Sequence, residues 1–337
     1  MKKHFIYYLK TLPNARFHFG EVSKESSLSS SSTYAYSDTL FGAILHNAFI
    51  LNQEKATHLL EEMNAGKIAI SSAFFYIKKE KSEKIVFLPK PVIYDTYQIL
   101  DDSIDPKKIK KVEMISKGVW ESGYSPEDWF NTKKCRSLQK GKFIYLKEEG
   151  DFDENTAIYT KSVTPKVPIS YVNNEDDKRT IYYQSDVFLN ESEEFLSGYF
   201  FLLKHDVNEK VMSFLDESIQ LSTTLGLGGD RSTGAGHIFS IDKQSFEWKH
   251  NSDYKSYCNL SLLIPKHKDR YRKGRYKVIT RGGQSLSDTK RLKYIQCIAD
   301  GGVFPKELEG ELVAIGPNRL KNGIPYFAPF NAKDFDL

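Results

Sequence analysis

The sequence predicts a mixed α+β, strand-rich chain, and three observations carry that expectation. Short apolar runs rich in Ile, Val, Phe and Tyr recur along the 337 residues, bounded by polar turns. Two segments carry apolar side chains at helical spacing, Leu40–Phe49 and Val211–Ile219. A glycine-rich run then joins a helical pattern to a strand-like one. A chain of this length can hold two cored domains or one large one.

The elements follow in order. Residues 4–10 read as a strand and 15–19 as its extension or partner. Asp38 stands where an N-cap would, because its carboxylate can accept from the free amides of a first turn. Leu40, Phe41, Ile44, Leu45, Ala48 and Phe49 then define one apolar helix face, and 54–63 reads as a second short helix. Strands are expected at 68–77 and 85–88 across the charged turn Lys78–Lys84, giving most of a βαββ unit. Residues 95–140, with Trp120 and Trp129, read as an irregular insertion. The runs 156–172 and 179–189 flank a polar turn and have the outline of a projecting β-hairpin. Beyond it come a strand from Gly198 to His205, an amphipathic helix over 211–219, a strand at 237–241, and further strands near 257–264, 275–280, 294–299 and 311–315.

The run from Leu225 to His237 holds five glycines between Gly226 and Gly236, with Arg231, Ser232 and Thr233 among them. Glycine accepts positive φ and carries no Cβ, so such a loop can present amides closely to a flat or anionic partner. Concave backbone amides bind phosphate oxygens, and Arg231 adds a permanently charged donor fork. Two familiar phosphate loops are excluded. A dinucleotide fingerprint follows a strand and opens a helix, which is the reverse of the order here. A P-loop needs lysine after its last glycine, and in the nearest register, Gly229 to Gly234, Ala235 occupies that place. A glycine-rich turn without a ligand is the competing reading.

Formal net charge is only +4, but its distribution is uneven. Residues 255–293 carry twelve Lys/Arg against two Asp, a local +10, so the remainder sums to −6. Within it, 266–277 interleaves basic residues with Tyr271 and Tyr276, either tracking a phosphate backbone or forming a solvated loop. Strand-like flanks make Arg275 and Arg281 the preferred contacts there.

The helix–GLGGDRSTGAG–strand order resembles the glycine-rich loop of the repeat-associated (RAMP) superfamily of CRISPR RNA-binding proteins. Phe17-His18-Phe19-Gly20, the run Tyr36–Ala43, Gly310-Glu311-Leu312-Val313 and the run Gly323–Phe330 are similar to the fourth Csm subunits of type III-A effector complexes. The likeness spreads from about residue 4 to 330 and is loosest in the middle third. It implies two ferredoxin-like (RRM-like, βαββαβ) domains with a projecting hairpin or thumb and the glycine-rich loop. The first would span 1–190, with the insertion at about 95–140 and the hairpin at about 156–189. The second would span 191–337 and carry the loop 226–236. The resemblance also implies a non-catalytic subunit that grips the 5′ tag of crRNA and docks the large polymerase/nuclease Csm subunit. An adjacent backbone Csm subunit would be its other neighbour, and target RNA would be met only indirectly. The RNA-binding residues expected on this footing are Gly228, Gly229, Arg231, Ser232, Thr233, Gly234, Gly236, His18, Lys166, Arg275 and Arg281. The family often has a basic residue just after the hairpin's first strand. Here Ile169-Ser170-Tyr171 stands there, leaving Lys166 as the nearest cation.

The competing enzyme is a precursor-processing RAMP endoribonuclease, for which His18, Tyr34, Tyr36 and His237 would be the groups to converge. In that family the glycine loop lies close to the carboxyl terminus, whereas 101 residues follow Gly236 here. Asp38 is read as a structural cap, since a solitary carboxylate makes a poor metal site. The three cysteines are far apart, no CxxC or HxxxH spacing offers zinc ligands, and no cofactor is expected. The amino-terminal apolar run is too short for a signal segment, so a soluble, cytoplasmic protein away from membranes is expected.

Overall fold

The computed structural model describes residues 2–21, 29–80, 82–96, 104–167, 181–249, 255–267, 273–282, 292–317 and 319–331. Its main strands and helices are β1 (Lys3–Lys10), α1 (Ser37–Leu51), α2 (Gln53–Asn64), β2 (Phe74–Lys79), β3 (Ile85–Pro89), β4 (Met114–Ser116), β5 (Cys135–Leu138), β6 (Phe143–Leu146), β7 (Tyr159–Lys166), β8 (Tyr182–Leu189), β9 (Phe195–His205), α3 (Glu209–Gln220) and β10 (Ser240–Ser245). Ten of these elements are strands, and eight of the ten join one nine-stranded sheet in the order β10-β1-β9-β2-β3-β4-β6-β5, with Ile68–Ile70 also paired to β9.

β1 is an interior strand, and Ile6, Tyr7, Tyr8 and Leu9 are all buried, a run that needs cover on both faces. It pairs antiparallel with β9 on one side and β10 on the other. The Tyr7 and Phe201 rings, directly opposite across that pairing, stack at 4.8 Å. Asn52 and Asn208 cap α2 and α3, accepting from the amides of Lys55 and Val211 at 2.9 and 3.0 Å. Leu40 and Ile44 of α1 and Ile219 of α3 meet Leu9, Phe201 and Ile241 of the sheet. Asn47 fastens α1 to the end of α3, donating to the Ser218 carbonyl and the Ser222 hydroxyl at 3.0 Å each.

This pairing runs one sheet across the expected boundary at 190/191. β9, α3 and β10 complete the sheet begun by β1, so the glycine-rich loop belongs to the same unit as the amino-terminal strand. The described part of 95–140 is also less irregular than expected, because β4 and β5 lie in it and, with β6 just beyond, extend the same sheet past β3. The strand after the glycine loop begins at Ser240 rather than His237, where Lys10 lies opposite Ser240.

β7 and β8 pair antiparallel over their eight residues, from Tyr159↔Leu189 to Lys166↔Tyr182. Arg16–Phe17 joins them as a third strand, with Phe17 opposite Val187. Residues 168–180, including Ile169, Ser170 and Tyr171, lie outside the described residues. Residues 255–331 contain a three-stranded sheet with Ser256–Asn259 at its centre and two hairpins, Val278–Arg281 with Ile295–Ile298 and Leu312–Gly316 with Arg319–Asn322. Among the described residues of this part there is no helix. It joins the large unit through amides, the Leu262 N–H donating to the Ser37 hydroxyl at 2.9 Å and the Ser72 N–H to the Leu260 carbonyl at 2.8 Å. Among the described residues no helix is long and apolar enough to cross a membrane.

Candidate nucleic-acid interface

The glycine-rich loop leaves α3 through a short helical turn, Ser222–Leu225, and is closed at its neck by the Leu227 amide donating to the Gly236 carbonyl at 2.9 Å. It lies against the segment 16–18. The Gly236 amide donates to the Arg16 carbonyl at 2.7 Å, and the Gly229 amide to the His18 carbonyl at 2.8 Å. Two glycines are required by this docking. A Cβ on Gly236 would stand 2.1 Å from the Leu227 carbonyl oxygen, and one on Gly228 would stand 2.6 Å from that of His18, both at positive φ. Gly229 sits over the His18 ring with ordinary φ. Gly228, Gly229 and Gly236 therefore build the loop onto the sheet.

The tip is different. Arg231–Thr233 form one turn of 3-10 helix between Asp230 at φ 56° and Gly234 at φ 86°. A Cβ on Gly234 would meet nothing within 4 Å, and Ser232, Thr233 and Gly234 are exposed. Among the described residues, the amides of Asp230, Arg231 and Ser232 have no backbone acceptor. Arg231 donates to the Leu225 carbonyl at 3.1 Å and pairs with no carboxylate of the described residues. Its charge is thus available to an anion at the tip.

Behind the tip is a charged network that sequence reading did not single out. Arg16 donates to Asp186 at 3.2 Å and to the Thr233 hydroxyl and carbonyl at 2.7 and 3.0 Å, and its charge lies 3.3 Å from Asp230. Gln184 of β8 donates to Asp230 at 2.6 Å and to Asp186 at 3.0 Å. Lys166, at the end of β7, reaches to 3.9 Å of Asp230. Burial alone would raise the Asp230 carboxyl. The hydrogen bonds from Gln184 and Thr233 and the charges of Lys166 and Arg16 overcome it and hold the group below its usual range. The loop, the hairpin and the segment after β1 are thereby one assembly. Asp230 lay within the glycine motif, but its partners are 46 residues away in Gln184 and farther in Arg16, with no local signal connecting them.

Two of the expected RNA contacts lie in the interior. His18 is 3% exposed, and its Nδ1 lies 2.7 Å from the Ser185 carbonyl, beneath the loop. Arg281 is 5% exposed and grips Asp38 through two nitrogens at 2.9 and 3.1 Å. Its guanidinium lies 4.7 Å from the centre of the Tyr36 ring. Asp38 is structural, as expected, but not as a cap. Tyr36 is the N-cap residue of α1, and Asp38 is buried between Arg281 and Lys321, the latter at 2.6 Å. Those two cations carry its carboxyl well below the ordinary range against the opposing effect of burial.

Arg275 is exposed on a backbone bridge to Val303 and stays available. The basic segment is only partly described: Lys266 and His267 face Glu309, Lys277 pairs with Asp95 at 2.6 Å, and 268–272 lie outside the described residues. The endoribonuclease groups do not gather at one place. The Tyr34 hydroxyl donates to Asp300 at 3.1 Å, beside Ser72, while His18 is committed to Ser185 and His237 is exposed. Burial pushes the Asp300 carboxyl up to about 7 despite the hydrogen bonds from Ser72 and Tyr34. All three cysteines are free and buried.

Comparisons with known proteins bear on the chain as a whole. Residues 252–330 match the family model of the CRISPR Csm4 C-terminal domain. A protein of Methanocaldococcus jannaschii named CRISPR system Cms protein Csm4 is 27% identical over 379 residues, covering 96% of this chain and 97% of that one. A protein of the same name from Streptococcus thermophilus is 24% identical over 343 residues, with 95% of each chain covered. The crystal structure of a Csm3–Csm4 subcomplex of the type III-A CRISPR-Cas interference complex matches with a TM-score of 0.70 at 21% identity, over 98% of this chain and 100% of that one. A Csm1–Csm4 cassette in complex with pppApA matches at 0.57 and 15% identity, over 99% of this chain and 100% of that one. The mixed α+β fold, with its large sheet and few helices, is the fold of those structures. Residues 252–330 thus match a Csm4 C-terminal domain, and over nearly its whole length the chain is similar in sequence to Csm4 proteins and shares the fold of solved Csm4 subunits.

Proposed function

We propose that this chain is a non-catalytic RNA-binding subunit of a type III-A CRISPR (Csm) interference complex in antiviral defence. It grips the 5′ tag of the crRNA and docks the large polymerase/nuclease Csm subunit. The carrying observation is the division of labour within the glycine loop: Gly228, Gly229 and Gly236 fix it to the sheet, leaving Arg231–Gly234 exposed at the tip. Arg231 meets a phosphate, the Ser232 and Thr233 hydroxyls serve 2′-hydroxyl or phosphate oxygens, and Lys166 and Arg275 add charge along the strand's path. Relatives solved with Csm3 and with Csm1 support an adjacent backbone subunit and the large subunit as the two neighbours. Target RNA is met indirectly, and the particle works in the cytoplasm without a cofactor held by this chain. In the finer fold reading, β10-β1-β9-β2 with α1 and α3 is a ferredoxin-like unit, which its strand order supports, and the β7–β8 hairpin is the thumb.

The second reading, a RAMP endoribonuclease that processes precursor crRNA, lacks a gathered acid and base among the described residues. Incubating the purified chain with labelled repeat RNA separates the two: the proposed subunit retards the RNA, and a processing enzyme cuts it. Sequencing the 5′ ends of RNA that co-purifies with the assembled complex tests the tag itself. One shared short 5′ sequence is the expected result, and scattered ends contradict it.

A further inference from the structure

One guanidinium holds both ends of the turn that carries Arg231. The turn runs from Asp230, a non-glycine residue at φ 56°, to Thr233. Arg16 Nη2 donates to the Thr233 carbonyl at 3.0 Å and to its hydroxyl at 2.7 Å, and stands 3.3 Å from the Asp230 carboxylate. The Thr233 hydroxyl donates in turn to the Asp230 carbonyl at 3.0 Å, which closes the turn on itself. On its other side, Arg16 Nη1 donates to Asp186 of β8 at 3.2 Å. Gln184 of the same strand bridges the two carboxylates, at 3.0 Å to Asp186 and 2.6 Å to Asp230. A planar fork serves partners on two sides at once, whereas an ammonium is a point charge. The Arg16 backbone is fixed as well, paired with Phe188 and accepting the Gly236 amide at 2.7 Å.

The charge of Arg16 is compensated there. With Lys166 at 3.9 Å from Asp230, the cluster sets two cations on two carboxylates and is neutral in sum. Arg231, on the turn itself, pairs with no carboxylate of the described residues. One arginine fixes the turn and the other carries the free charge.

We infer that Arg16 is a positioning residue for Arg231: by clamping the turn to the β7–β8 hairpin it sets where the free guanidinium meets an RNA phosphate, without touching RNA itself. This rests on the RNA-binding reading above and adds to it the residues that aim the contact. It also fixes a sign. By electrostatics alone, removing a carboxylate near an anion site strengthens anion binding. Here Asp186, 4% exposed and behind the tip, supports binding through Arg16, so its removal weakens it.

The test titrates the full-length chain with short fluorescein-labelled oligoadenylate and oligouridylate, in wild-type and Arg231→Ala backgrounds, well below the unfolding temperature of each variant. Arg16→Lys keeps the charge and loses the fork, and Asp186→Asn keeps the shape and loses the charge. Each is expected to weaken RNA binding roughly 2- to 30-fold, as for residues that act on a site through a network. In the Arg231→Ala background both effects are expected to vanish, the non-additivity of groups that act as one. Gln184→Met removes the hydrogen bonds of a residue 2% exposed to both carboxylates. It is expected to follow the other two and stands in for either if that variant does not fold. Arg16→Lys binding as the wild type overturns the inference, because a plain phosphate contact survives that change. So does Asp186→Asn binding as tightly as the wild type or more tightly. Losses that persist in full without Arg231 also overturn it, since direct contact or general destabilisation gives them. All three leave the RNA-binding reading standing while Arg231→Ala weakens binding. If Arg231→Ala binds as the wild type, or the wild-type chain binds neither RNA, that reading fails and the inference with it.

Discussion

Two arginines of this chain stand on opposite terms with their surroundings. Arg281 is buried, shares Asp38 with Lys321, and lies over the Tyr36 ring. Arg231 is half-exposed on a glycine-fixed tip and donates to one carbonyl. The first arginine's charge is used within the fold, where it ties a strand of the C-terminal part to the start of α1. The second arginine's charge meets no carboxylate among the described residues. The same residue type in two basic-looking contexts is thus spent on cohesion in one and left without a carboxylate in the other, which is why the proposed RNA contact falls on Arg231.

The largest effect that separates the two regions is on stability. Arg281→Ala leaves Asp38 buried with one partner fewer, and breaking a buried pair costs about 3–5 kcal/mol. Urea unfolding of Arg281→Ala and Asp38→Ala is expected to show losses of that size. A loss near the roughly 1 kcal/mol of a helix cap would return Asp38 to a capping role. Arg231→Ala, by contrast, is expected to leave the unfolding midpoint nearly unchanged.

A second carboxylate sharpens the buried side of the comparison. Asp300 accepts from Tyr34 and Ser72 hydroxyls, with no cation bonded to it among the described residues, and its carboxyl stands at about 7. A folded value above the unfolded one means that the native state holds the extra proton between about pH 4 and 7. Stability therefore falls as pH rises through that window and levels off above it, by at most about 1.4 kcal/mol per pH unit. Asp38 has the opposite sign: its contribution is complete above the ordinary carboxylate range and is lost only in strong acid. Asp300→Asn is expected to flatten the neutral-range slope in unfolding experiments run from pH 4 to 8. An unaltered slope would remove Asp300 as its source.

Within the glycine loop, the two roles are expected to part between Gly236 and Gly234. Gly236→Ala forces a Cβ against the Leu227 carbonyl at positive φ and is expected to cost roughly 2–3 kcal/mol. Gly234→Ala meets open space and carries only the left-handed strain, roughly 1 kcal/mol. Gly234→Val is expected to stay folded and lose guide RNA. Normal RNA retention by Gly234→Val would reduce the tip to a turn.

Much of this was legible in the residues. β1, α2 and the β7–β8 hairpin follow from apolar periodicity and a polar turn, which are local signals. The glycine run announced a close approach, and Gly228 and Gly236 make one, though to the chain's own backbone. What was not legible is long-range pairing. Nothing in Phe195–His205 says that it lies between β1 and β2, because a strand's partners are not written in its own residues. Arg281 and Asp38 are 243 residues apart, and a strand-like flank cannot distinguish a buried arginine from one on a surface. His18 read as a contact because it borders the motif, but the loop covers it.

The central claim is that the charge at the loop tip is reserved for an RNA phosphate. Its most direct test is the dependence of RNA affinity on salt for the wild-type chain and Arg231→Ala. Loss of one phosphate contact to a single strand is expected to flatten the log-affinity against log-salt slope by about 0.7. An unchanged slope for Arg231→Ala would contradict the claim.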